Sequence, residues 1–407
     1  MPGSISATSL HQLQLVAQGK SMRKIWPFSL SFLQFAGVAF TMPFLVLYYQ
    51  DLGFNGAQIG LLVGLAPLIT LVSTPFWTGL ADASHRHRFY MGIALFFGAA
   101  SISALPIFHA FLPVMALIVL FTIFFSPISA FADSATMFML KDQKEMYGRI
   151  RVGGTLGFGV MAMLAGFLVQ NYGLKFTFWG GGITYFLALL VSQKLVYDRT
   201  VGVSASRNGA YALLKNRSWQ LFLSLALAGG LAASVTNSYL LSYMKDLGAD
   251  AGYMGLALTI GTLSEFPTFF FGNWLLKRFK SRSLLNLALI ITAIRLLALS
   301  LATSPLLVLV TQLLNGVSFS AMWMAGVSYA DENAPAGMSA SAQGLFGATV
   351  YGIGAAIGGF VGGLLLDSLG GHGMYLIFAL VVLATLLIVT LIENRLAFQL
   401  RKNQGEI

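Results

Sequence analysis

Asp133 and Arg151 are opposite charges 18 positions apart, within the stretch SPISAFADSATMFMLKDQKEMYGRIRVGGTLGF from Ser126 to Phe158. An apolar run ends near Asp133, a short charged turn follows, and a second apolar run opens with Arg149 and Arg151. If the turn folds back, the two helices lie antiparallel and the two charges can approach each other below a membrane surface. A charge at that depth is costly, so it is normally paired and usually functional. Two readings are open: a pair that grips a solute, or Asp133 ending a helix while Arg151 stretches to the lipid headgroups.

Two more charges lie far from any loop. Glu265 is about halfway along the run GTLSEFPTFFFGNWL, and Arg295 is inside LALIITAIRLLALS. If these runs pack antiparallel, both side chains can face one interior. Low dielectric disfavours a charged carboxylate, a property a proton carrier needs, and a neighbouring arginine opposes that effect. The alternative is a structural ion pair that joins two helices. Asp82 closes another run in PFWTGLADASHRHR, where it can cap a neighbouring helix or pair with loop arginines. His85 and His87, on either side of Arg86, read as loop polarity and not as metal ligands.

The elements that carry these residues follow from composition. Of 407 residues, 57% are hydrophobic and 9% charged, against about 25% charged in a soluble domain. Such a chain cannot cover itself with polar surface in water, so it is an integral membrane protein. It has no cysteine, so disulfides and thiolate metal sites are excluded. The net charge of +10 lies in short loops, the footprint of membrane topology and not of nucleic-acid binding. There is no Walker A sequence, so ATP is not the energy source. No Ser-His-Asp or HExxH arrangement appears, and neither an enzyme nor a cofactor is expected.

Twelve runs are long enough to span a bilayer, at about 20 residues each. They cover 25–50, 56–81, 89–108, 111–136, 150–170, 174–196, 219–244, 252–276, 284–302, 305–329, 341–366 and 372–393. Prolines 43, 67, 75, 106, 113, 127, 267 and 305 lie in or beside them and should bend or end helices. With the N-terminus inside, 21 Lys and Arg residues fall on the cytoplasmic side and only Lys175 and Lys245 on the other. That bias places both termini in the cytoplasm. Residues 1–24 read as a cytoplasmic tail, 25–196 as one six-helix bundle, 197–218 as a central cytoplasmic loop, 219–394 as a second bundle, and 395–407 as a cytoplasmic tail.

The two bundles repeat each other. Asp51-Leu52-Gly53 matches Asp246-Leu247-Gly248 at an offset of 195, and Gly166–Gly173 matches Gly363–Gly370 at 197. Duplicated helical bundles are typical of secondary transporters, whose site lies between the repeats near the midplane. The 44 glycines crowd the fifth and eleventh runs, where small residues permit close helix contact. Static packing and a sliding seam both need that property.

MPFLVLYYQDLG, PFWTGLAD, YGRIRVGGTLGF and the block from Gly261 to Thr303 resemble the major facilitator superfamily. The nearest likeness is to the lactose permease and phenylpropionate permease branch of proton symporters, and it covers nearly all of residues 25–395. The resemblance implies an all-α fold of twelve transmembrane helices in two pseudo-symmetric bundles. It implies that Asp133, Arg151 and the aromatic Phe158 bind solute, that Glu265 and Arg295 couple solute to proton, and that Asp82 belongs to a gating loop motif. The family's acid in the fourth helix is Asp here, and Phe158 stands where lactose permease has Trp. Asn315 and Ser318 stand where lactose permease has His and Glu. Thr78 and Ala83 depart from the loop motif. The implied function is proton-coupled uptake of an aromatic acid, a sugar or a nucleoside by a monomer in a bacterial inner membrane. The alternative is a proton-driven exporter of drugs or metabolites.

Overall fold

A computed structural model describes residues 7–140, 146–197, 213–335 and 338–403. The charged turn at 141–145, most of the central loop and the extreme tails lie outside the described residues. Among those described, nine helices are long and apolar enough to cross a membrane. They are α1 (Lys24–Asp51), α2 (Gly56–Ser84), α3 (His87–Ile107), α4 (Phe111–Leu140), α5 (Tyr147–Tyr172), α7 (Arg217–Asp246), α9 (Ser281–Ser300), α10 (Pro305–Glu332) and a final stretch Ser341–Leu396. A pair, Ala251–Phe270 with Gly272–Arg278, is α8, bent by 56° at the break. Lys175–Ser192 is α6.

The final 56-residue stretch is two spans. Gly370 breaks it, with φ 68° and ψ 178°, giving α11 (341–369) and α12 (371–396). Six helices therefore precede the central loop and six follow it. The helix that becomes α1 begins at Ala7 and is continuous to Thr41, where a 3₁₀ turn at Met42–Phe44 carries Pro43. Pro267 sits four residues before the bend of α8, and its carbonyl accepts from Phe271 N–H at 2.9 Å.

The internal repeat is visible in the backbone. Gly53 and Gly248 share a left-handed conformation, with φ 77° and 83°. Each is followed two residues later by a side-chain cap. Asn55 Oδ1 accepts from Gln58 N–H at 2.9 Å, and Asp250 Oδ1 accepts from Tyr253 N–H at 2.8 Å. Gly173 and Gly370 form the second pair, at φ 92° and 68°. A side chain is strained at such φ values, so the repeated glycines mark repeated turns.

The halves meet along α2–α11 and α5–α8. A Cβ on Gly363 would stand 2.6 Å from Gly56 O and 2.6 Å from Gly60 Cα. A Cβ on Gly166 would stand 2.5 Å from Ala251 O and 3.0 Å from Gly255 Cα. Thr259 Oγ1 donates to Gly159 O at 2.9 Å across the second seam. Lys245 and Asp51 bridge the halves at 2.7 Å, both about half exposed. These contacts run from the face opposite the termini to about mid-span, so that face is closed. Small residues let the backbones approach this closely where water has no role in driving helices together.

Candidate functional site

In the C-terminal half the site is built on the crossing of α8, α9 and α10. Gly316 lets α10 come onto α8: a Cβ there would collide with the carbonyl of Ser264. Gly316 N–H donates to Ser264 Oγ at 2.9 Å instead of to its own helix. Gly316–Ser320 is a π-helical turn, an irregularity frequent at functional sites. Just before it, Asn315 and Gln312 reach Arg295 of α9.

Arg295 is buried, with 5% of its surface exposed. Its Nη1 donates to Asn315 Oδ1 at 2.7 Å and its Nη2 to Gln312 Oε1 at 2.8 Å. Asn315 Nδ2 donates to Glu265 Oε1 at 3.0 Å and to Gly261 O at 3.2 Å. Among the described residues Arg295 and Glu265 form no direct ion pair. One amide stands between them, with its oxygen turned to the guanidinium and its nitrogen to the carboxylate. Arg295 Nε is buried with no partner. Arg295 lines a pocket with Thr236, Asn237, Thr292, Asn315 and Phe319. An unpartnered buried donor is unusual and calls for an explanation.

In the N-terminal half, Asp133 and Arg151 line a second pocket with Gln34, Ser31, Ser129 and Tyr147. They share the space without an ion pair among the described residues. Tyr147 donates to Asp133 Oδ1 at 2.8 Å. The guanidinium of Arg151 lies over the ring of Phe35, 4.3 Å from its centroid, a cation–π contact. Close packing sets this arrangement: Gly154 lets α5 press onto Phe35 and Ser31 of α1. Phe158 is half-buried, two turns along α5 from Arg151, and is not among the residues lining this pocket.

Among the described residues Asp82 pairs with no arginine and caps no helix end. His87 Nε2 lies 2.7 Å from Asp82 Oδ1. The reading of His87 as loop polarity is corrected: it opens α3, is buried, and stacks on Tyr197 at 5.5 Å. Neighbouring Arg88 instead donates to Leu195 O at 2.6 Å. No cluster of metal-ligating side chains occurs among the described residues.

The sequence passed over Tyr147, Phe35, Gln34 and Gln312. Tyr147 stands four residues before Arg151, and Gln312 three before Asn315; helical spacing could have put each on the face of the known residue.

A profile of the MFS_1 like family matches residues 28–377. The chain belongs to that family, within the major facilitator superfamily. Maltose permease of Geobacillus stearothermophilus is 28% identical over 89% of this chain and 93% of its own length. The crystal structure of the nucleoside transporter NupG aligns over 90% of this chain and 98% of that one, with TM-score 0.80 and 18% identity. A bacterial homologue of the human lysosomal transporter Spinster, solved inward-facing and unoccupied, aligns over 91% of this chain and 95% of its own, with TM-score 0.70 and 14% identity. The chain is thus a multi-pass membrane protein of the transporter type, and small solutes are the cargo of such proteins.

Proposed function

We propose that this chain is a proton-coupled symporter that takes up a small polar organic solute by alternating access. The observation that carries the reading is the chain Arg295–Asn315–Glu265, at mid-span and beside a polar pocket. A midspan carboxylate held by an amide can gain and lose a proton without breaking a salt bridge. Arg295, fixed by Gln312 and Asn315, supplies a positive charge that favours loss of the proton once the site opens to the other side.

Solute is held from the other half by Asp133 and Arg151. Their lack of a mutual ion pair leaves the carboxylate as acceptor and the guanidinium as donor toward solute hydroxyls. Phe158 takes part on the same helix face. Closure along the glycine seams is then the state shut to the outside, with Lys245 and Asp51 on the external face. Asp82 and His87 lie at the opposite, cytoplasmic end.

The basic-residue bias supports cytoplasmic termini, and the setting is a bacterial inner membrane. The same residues support a place in the lactose and phenylpropionate permease branch. One chain carries both half-sites, which supports a functional monomer. The reading is tested in proteoliposomes loaded at alkaline pH, with labelled sugars, nucleosides and aromatic acids offered outside. Accumulation of one class that follows external acid and collapses with a protonophore supports it. Acid-driven extrusion, or uptake indifferent to the gradient, contradicts it.

A further inference from the structure

Beside the Arg295 pocket stands a residue that the pocket's lining does not include. Tyr351 lies on α11, in a second π-helical segment, Ala348–Gly354. Its chain neighbours are committed to packing. The carbonyl of Val350 would meet a Cβ on Gly230 of α7 at 2.6 Å, and a Cβ on Gly352 would meet Leu71 of α2 at 2.7 Å. Tyr351 itself is 47% exposed. It nonetheless stands where the halves meet: Gly352 beside it packs on α2, and its ring meets Phe319, which lines the Arg295 pocket. The Tyr351 hydroxyl makes no hydrogen bond among the described residues.

The ring is held from behind. Trp323 of α10 lies 4.9 Å away at 52°, and Phe319 meets it edge-on at 6.5 Å and 64°. Trp323 is itself backed by Phe346 at 5.2 Å. A supported, half-exposed aromatic at the edge of a polar pocket is suited to be a stacking platform. Both pockets carry a buried polar atom with no partner, Ser31 Oγ on one side and Arg295 Nε on the other.

Resting on the transporter reading above, we propose that Tyr351, backed by Trp323 and Phe319, is the floor of the solute site and that the cargo is a hydroxylated solute bearing a planar ring. The plane lies on Tyr351. Hydroxyls on one edge reach Asp133 and Arg151, and acceptors on the other reach Arg295 and Asn315.

The test is binding to the purified protein by isothermal titration, with uridine, phenyl β-glucoside and maltose as probes. Uridine and the phenyl glucoside, which carry planar rings, are expected to bind more tightly than maltose, whose two pyranose rings are puckered. Tyr351→Ala should weaken the two planar-ring probes by about 5- to 150-fold, the range for loss of one stacking partner, and leave maltose within about threefold. Tyr351→Phe keeps the face and should lose much less than the alanine variant. Phe319→Leu disturbs the platform from behind and should weaken the planar-ring probes as well. Thermal midpoints check that each variant is folded. The proposal is overturned if neither planar-ring probe binds, if Tyr351→Ala binds both like the parent, or if every probe weakens equally. Binding needs no gradient, so it separates from coupling: a parent that binds uridine yet never accumulates it under a pH gradient would remove the symport reading alone. Acid-driven maltose accumulation without binding of either planar-ring probe would remove this inference alone.

Discussion

Gly363→Ala adds one methyl group where α11 presses on α2 backbone at the α2–α11 seam. Its Cβ would lie 2.6 Å from Gly56 O, Gly60 Cα and Gly60 N. All three are backbone atoms, so no side chain can swing aside and the helices must part. Overpacking of this kind costs about 1–3 kcal/mol. The cost falls only on the state in which the seam is closed, so the ratio of open to closed states should rise by about 5- to 150-fold. The chain has no cysteine, so cysteines at Ala57 and Ser368, both exposed at the closed face, can carry spin labels cleanly. Pulsed dipolar spectroscopy should show the short distance of the closed face giving way to a longer one. Gly98→Ala is the control, since nothing lies within 4 Å of its added Cβ. An unchanged distance distribution in Gly363→Ala, with an unchanged thermal midpoint, would refute the view that this glycine contact holds the face shut.

Three further outcomes are expected. Arg151→Ala should abolish transport while the protein still folds and inserts, because Arg151 lies over Phe35 and is not locked in a buried ion pair; uptake and detergent-stable yield together check this, and normal transport contradicts it. Lys245→Ala should alter the open–closed ratio by less than about fivefold, because exposed ion pairs contribute roughly 0–1 kcal/mol, read with the same spin-label pair. A cysteine at Ser206, which lies outside the described residues, should react with an impermeant maleimide in inverted vesicles and not in intact cells.

The span positions were legible because a bilayer demands about 20 apolar residues, and such a run is hard to hide. The repeat was legible for a related reason: Gly53 and Gly248 take conformations that strain other residues, so they leave the same letters at the same offset. Asp133, Arg151, Glu265 and Arg295 stood out because charge inside an apolar run is conspicuous. Their partners did not stand out. The distance between Asp133 and Arg151 along the chain suggested a mutual pair, but Tyr147 and Phe35 intervene, and rings look like ordinary packing in a sequence this aromatic. His87 was misread because its neighbours are charged, although its ring is buried against Tyr197. The π-helical turns at Gly316–Ser320 and Ala348–Gly354 shift the helix phase by only a fraction of a turn. Hydropathy does not register that, although Asn315 adjoins the first of these turns and Tyr351 lies in the second.

The central claim is that Glu265 carries the proton, and one substitution in vesicles tests it. Glu265→Gln mimics the protonated carboxylate and keeps an oxygen to accept from Asn315. Solute exchange across the membrane needs no deprotonation, whereas net accumulation does. With both measured side by side, the variant should keep exchange of labelled for unlabelled solute and lose uphill, acid-driven uptake. If Glu265→Gln still concentrates solute in response to external acid, Glu265 is not the carrier.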